Sequence, residues 1–254
     1  MIKVARMYHE RGVRQPEIAT RLHISQARVS RLLKRAGELN IVRTTVVTPP
    51  GVFADLEEVV ERRFGLREVV VADTGDDVAE QSILHSLGAA AAAYLETTLI
   101  GRDRIGISSW SSTLLARVDA MRPKQTPVAE QVVQVLGGVG VGSSQAHATR
   151  LTGRLAELTG AASIYLTAPG LVASSALRKA LASDPSIGSV LSAYESLTMV
   201  LMGIGSLEPS PLLRASGNAM AEEDQAELLA AGAVGDVCLR FFNEFGEPIR
   251  TALD

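Results

Sequence analysis

RQPEIATRLHISQARVSRLLKRA, running from Arg14 to Ala36, is short, amphipathic and crowded with arginine. Ile18, Ala19 and Leu22 recur at helical spacing, which predicts a helix over Gln15–Leu22. Ser25 is a good N-cap, because its hydroxyl can take an orphan amide of a second helix over Gln26–Ala36. That helix puts Val29, Leu32 and Leu33 on its apolar side. Two short helices with narrow apolar stripes, joined by a short turn, make a helix-turn-helix. Ala19 lets the helices cross closely. His23 stands where such turns often carry glycine, and histidine is among the residues that tolerate positive φ.

The outward face of the second helix offers Gln26, Ala27, Arg28, Ser30, Arg31 and Arg35. Glutamine pairs with adenine, arginine with guanine, and an alanine methyl meets thymine. The first residues of a recognition helix reach base edges, so Gln26, Ala27, Arg28 and Ser30 are the expected base readers. Arg31 is divided between bases and phosphates, while Arg21, Lys34 and Arg35 are expected on phosphates. Charge points the same way: over residues 1–43 there are ten Lys and Arg against three Asp and Glu, while the rest carries 15 basic against 25 acidic residues. A basic module attached to a larger acidic one suggests a polyanion partner for the first, and the helix-turn-helix makes that expected partner double-stranded operator DNA.

Ile2–Glu10 reads as a supporting helix with Val4, Ala5 and Tyr8 for packing, and Asn40–Thr48 as a strand or small wing. Pro49-Pro50-Gly51 ends the module. The expected division is a DNA-binding domain over 1–50, a connecting helix over 51–66, and an effector and oligomerisation domain over 67–254. With 46% hydrophobic and 21% charged residues, one cysteine and no long apolar run, the chain reads as soluble and cytoplasmic, without disulfide or membrane segment.

From Glu68 onward, apolar runs alternate with helix-like stretches. Strands are expected at EVVVAD (Glu68–Asp73), RIGIS (Arg104–Ser108), EQVVQVL (Glu130–Leu136), SIYLTA (Ser163–Ala168), TMVLMGIG (Thr198–Gly205) and VGDVCLRFF (Val234–Phe242). The fold class is therefore α/β, with a Rossmann-like, mostly parallel sheet covered on both faces. Ligands bind at the carboxyl ends of such strands. Candidate loops there are SSWSST (Ser108–Thr113), LGGVGVGSSQ (Leu136–Gln145), GIG (Gly203–Gly205) and GAVGD (Gly232–Asp236). Consecutive hydroxyls leading into a helix N-terminus suit a phosphate.

Two other readings stay open. Gly138-Val139-Gly140 nearly begins a dinucleotide fingerprint, with Glu157 downstream, but Ser143 takes the place of its last glycine; a nicotinamide-responsive repressor would use it. A sugar-phosphate isomerase-like enzyme with an appended DNA-binding module is the other. His9, His23, His85 and His147 have no partners at metal-ligand spacing, so no metal, cofactor or catalytic residue is assigned.

QPEIATRLHISQARVSRLLKRA, IGISSWSSTL, VVQVLGGVG, APGLVAS, MGIGSL and AGAVGDVCLRFFNEFGEPI, in this order, resemble the SorC/DeoR-type family of bacterial sugar-binding transcriptional regulators. The resemblance implies an effector domain shaped like sugar-phosphate isomerases but used for sensing, a phosphorylated sugar or polyol as effector, and a homodimer or homotetramer on operator DNA. It places Ser111, Ser112 and Thr113 on the phosphate, Gly137 and Gly138 along the pocket, Gln145 as a nearby polar contact, and Asp236 as acceptor from sugar hydroxyls. Family members continue beyond the position of TALD (Thr251–Asp254), through a further strand and a pocket lysine. The expectation is thus a C-terminally shortened sheet or an incomplete pocket.

Overall fold

The structure is a computed structural model that describes residues 1–42, 51–138, 142–172, 174–208 and 222–250, without the side chains of 142–145, 147 and 148. The chain divides into two compact units, Met1–Pro50 and Gly51–Asp254.

The first unit opens with α1 (Ile2–Ala5), which runs on as a π-helical turn, Arg6–Glu10. α2 (Gln15–Leu22) and α3 (Gln26–Glu38) follow, separated by His23, Ile24 and Ser25. His23 adopts φ 51°, closing α2 in the left-handed conformation, and Ser25 Oγ caps α3 by accepting from the Arg28 amide at 3.2 Å. Val4, Met7, Ile18, Ala19 and Val29 make the core, flanked by Leu22, Leu32 and Leu33. The first helix packs through Met7 rather than Tyr8, which is exposed. From residue 43 onward, the wing expected over Asn40–Thr48 lies outside the described residues.

The second unit begins with α4 (Ala54–Phe64). An extended segment then leads to α5 (Glu80–Thr98). EVVVAD, expected as a strand, pairs with no strand among the described residues. The Val69 and Val71 amides donate instead to the Glu61 and Glu57 carboxylates of α4, both at 2.9 Å. Side chains here supply the acceptors that a neighbouring strand would otherwise provide.

β1 (Asp103–Ile107), α6 (Ser112–Ala120), β2 (Ala129–Gln134), α7 (Gly142–Thr159) and β3 (Ala162–Ile164) then alternate. Two helices, α8 (Ser175–Ser183) and α9 (Pro185–Tyr194), precede β4 (Met199–Leu201). All pairings in this sheet are parallel, in the order β3-β2-β1-β4. Ile105, Ile107, Val132 and Val133 are wholly buried. That explains why the strands read as unbroken apolar runs: helices shield both faces of the sheet. Leu95 of α5 and Leu151, Leu155 and Leu158 of α7 complete this core.

VGDVCLRFF is not a strand of that sheet. After α10 (Glu222–Ala230), the chain forms an antiparallel hairpin, β5 (Ala233–Val237) and β6 (Arg240–Asn243), in a sheet of its own. GAVGD therefore lies largely within a strand rather than in a loop. The two residues of the turn, Cys238 and Leu239, have φ 52° and 62°. Positive φ at both central positions matches the right-handed twist of the flanking strands. No helix among the described residues is long and apolar enough to cross a membrane.

Candidate functional site

Strand order reverses between β1 and β4: the chain steps outward from β1 to β2 and β3, then returns to the other side of β1. Open α/β sheets leave a crevice at the carboxyl ends of the two strands flanking such a point. Here it holds a cavity of about 210 Å³. The segment after β1 contributes Ser108, Trp110 and Ser111–Thr113; the segment after β4 contributes Gly203–Ser206 and Glu208; the hairpin contributes Asp236, Cys238 and Leu239.

The side facing α6 is built to donate. Ser111 caps the helix, its Oγ accepting from the Leu114 amide at 3.3 Å. That bond uses a lone pair and leaves the hydroxyl proton free to donate. The first-turn amides and the hydroxyls of Ser112 and Thr113 add donors, and the helix dipole favours negative charge there. Among the described residues, no lysine or arginine lines this cavity.

The opposite side accepts. β5 is tied to the segment after β4 by a single antiparallel bridge, in which Gly205 and Asp236 exchange backbone hydrogen bonds. Asp236 Oδ2 accepts from the Leu239 amide at 2.9 Å. Burial pushes the Asp236 carboxyl above the usual carboxylate range, and the Leu239 bond opposes that shift. Burial likewise pushes the Cys238 thiol up, against a hydrogen bond with Ser108. Trp110 forms the apolar floor with Leu136 and Leu239, and its indole Nε1 donates to Gly137 O at 3.1 Å.

In the first unit, Arg21, Gln26, Ala27, Arg28, Ser30, Arg31, Lys34 and Arg35 are all exposed. Arg21 pairs with Glu17 at 2.5 Å, and Lys34 approaches Glu38 at 3.9 Å. Arg31 Nε donates to the Ala27 carbonyl at 3.4 Å. Among the described residues, Arg28 and Arg35 have no carboxylate partner, so this face of α3 presents uncompensated positive charge.

Residues 49–254 match the family model described as "Putative sugar-binding domain". The deoxyribonucleoside regulator of Bacillus subtilis (strain 168) is 30% identical over 100% of this chain and 79% of its own length. The chain belongs to this family of sugar-binding transcriptional regulators. The sorbitol operon regulator of Klebsiella pneumoniae is 29% identical over 99% of this chain and 79% of its own. The crystal structure of that full-length regulator, SorC, superposes with a TM-score of 0.70 at 28% identity, over 99% of this chain and 80% of its own.

Within this SorC-type chain, Ser111, Ser112, Thr113 and Asp236 come together around one cavity, although Thr113 and Asp236 are far apart in sequence. Gly137 and Gly138 stand behind its wall. A side chain at Gly138 would run into the Trp110 indole, and Gly137 lines a separate, more apolar cavity of about 340 Å³. The Gln145 side chain and residues 139–141 of the glycine loop lie outside the described residues. Glu157, the acidic residue of the near-fingerprint, forms an ion pair with Arg154 on α7 at 2.7 Å. Trp110, Glu208, Cys238 and Leu239 complete the cavity without having been singled out as ligand contacts. Trp110 and Leu239 do so by packing, and only the turn at Cys238–Leu239 brings them beside Asp236.

Proposed function

We propose that this regulator reads operator DNA with α2 and α3 as a helix-turn-helix, and senses a phosphorylated sugar or polyol at the β1/β4 crevice. The observation that carries the reading is the polarity of that cavity: donors at the N-terminus of α6 face the Asp236 carboxylate across about 210 Å³. A phosphate is held by Ser111, Ser112 and Thr113, and sugar hydroxyls donate to Asp236. Gly138 acts from behind the wall by giving room to Trp110, and Gly137 acts through the carbonyl that receives the indole proton.

Gln26, Ala27, Arg28 and Ser30 read bases, Arg31 is shared between bases and backbone, and Arg21, Lys34 and Arg35 hold phosphates. The operon is one of carbohydrate metabolism, in keeping with relatives that regulate sorbitol and deoxyribonucleoside genes. The protein works as a homodimer or homotetramer in the cytoplasm and senses its ligand without turning it over. The effector shifts the balance between two arrangements of the oligomer by its differential affinity for them.

Binding of the full chain to its own upstream DNA, at fixed salt and with a panel of phosphorylated sugars, tests this. A change in affinity with one of them supports both halves of the reading. Specific binding that no sugar phosphate alters refutes the effector, and absence of specific binding refutes the DNA reader.

A further inference from the structure

α4 has no buried residue along its length. Its Glu57 and Glu61 turn toward the following segment, where they accept the Val71 and Val69 amides. Another face is apolar and uncovered: Leu56 is 49% exposed and Val59 51%, with Phe53 beside them at 38%. A helix this short is marginal in water and depends on packing for its stability.

Its charges say what covers it. Asp55 and Glu58 lie in the first half, and Arg62 and Arg63 in the last turn. With Leu56 and Val59 as the seam, Asp55 and Arg62 fall on the same flank, seven residues apart. In an antiparallel pair of identical helices, that flank meets its own copy reversed. Asp55 of one copy then stands beside Arg62 of the other, twice by symmetry. In a parallel pair Asp55 would lie beside Val60 of the other copy, and neither of these ion pairs would form. Among the described residues Arg62 is engaged only by Glu58 of its own helix, an exposed pair at 2.8 Å, and its guanidinium retains donors for a second carboxylate.

We infer that α4 is the contact through which two copies of this chain pair, antiparallel and about a two-fold axis. α4 begins at Ala54, just past Pro50, so the contact tethers two basic units to each other. That consequence rests on the proposed DNA-binding reading, whereas the pairing itself does not.

Sedimentation velocity of the full chain in the absence of DNA tests the pairing. The expected result is a concentration-dependent dimer that Leu56→Arg abolishes. Asp55→Arg and Arg62→Asp should each weaken it by about tenfold, and the double variant should restore it. Because both charged residues are exposed, these exchanges leave the fold intact. Sedimentation unchanged by Leu56→Arg, or a double variant no better than the singles, overturns the proposal. A chain that dimerises through α4 but retards no DNA supports the contact and removes the DNA reading instead.

Discussion

The Gly205 amide donates to the Asp236 carbonyl at 2.9 Å, and the Asp236 amide returns a bond to Gly205 at 3.1 Å. A side chain on Gly205 would collide with the Asp236 carboxylate. The bridge thus needs glycine for room rather than for backbone freedom. Gly205→Ala should displace the hairpin, costing about 1–3 kcal/mol. It should also abolish the response to sugar phosphates while leaving operator affinity intact. Thermal unfolding together with DNA retardation, with and without effector, checks both.

Asp236 should trade stability for binding. Its folded pKa is raised by burial, so the fold disfavours its ionised form relative to the unfolded chain. The penalty is present above the raised value and vanishes as pH falls below the unfolded one, about 4. Asp236→Asn should therefore melt higher than the parent at pH 7, with the two curves converging toward pH 4. The same variant should lose effector response at pH 7. A melting temperature that is lower at neutral pH would contradict this account.

On α3, the proposed division between base and phosphate contacts gives two distinct signatures. Arg28→Ala should cost about 1–3 kcal/mol on the operator and relax preference at one base position. Lys34→Ala should weaken all DNA sequences alike and reduce the salt slope by about one unit. Equal losses on operator and random DNA for both variants would refute the assignment.

Ser25→Ala removes the side-chain acceptor for the Arg28 amide, which should destabilise α3 by about 1 kcal/mol. Amide exchange should quicken over Gln26–Glu38 and stay unchanged over Leu151–Thr159, because the cap belongs to the first unit alone.

Arg117 on α6 is buried, and its Nε has no hydrogen-bond partner among the described residues. Burial pulls its pKa down to about 10. Arg117→Met keeps the apolar stem and removes the buried charge, so it should stabilise the second unit by about 1 kcal/mol or more. The sign follows from the lowered pKa: the charged form is penalised in the fold at neutral pH, and that penalty fades as pH rises past 10. A drop in melting temperature at pH 7 would show that the guanidinium is paired in solution.

The parallel core was legible because burial on both faces leaves a plain signal. Ile105 and Ile107, and Val132 and Val133, read as strands because no water-facing position interrupts them. Two strand expectations failed for local reasons. At Val69 and Val71 the apolar run is real, but Glu57 and Glu61 meet its amides from the preceding helix, a pairing that periodicity does not encode. At Cys238 and Leu239 the hairpin turn is made by residues that seldom adopt positive φ, so none of the usual Gly or Asn punctuation marks it. Asp236 entered through family resemblance alone, since its place in the cavity depends on that turn. Ser111–Thr113 could be found from first principles, because a hydroxyl run at a helix N-terminus advertises its donors.

The bridge between Gly205 and Asp236, together with the Cys238–Ser108 hydrogen bond, joins two pieces: a parallel sheet carrying the donors and a two-stranded ribbon carrying the carboxylate. A molecule gripping Ser111 and Asp236 together would act as a splint across that seam. The energy of binding would then appear as stiffness of the ribbon against the sheet, and the ribbon, rather than the rigid core beneath it, becomes the moving part through which occupancy is felt elsewhere in the chain.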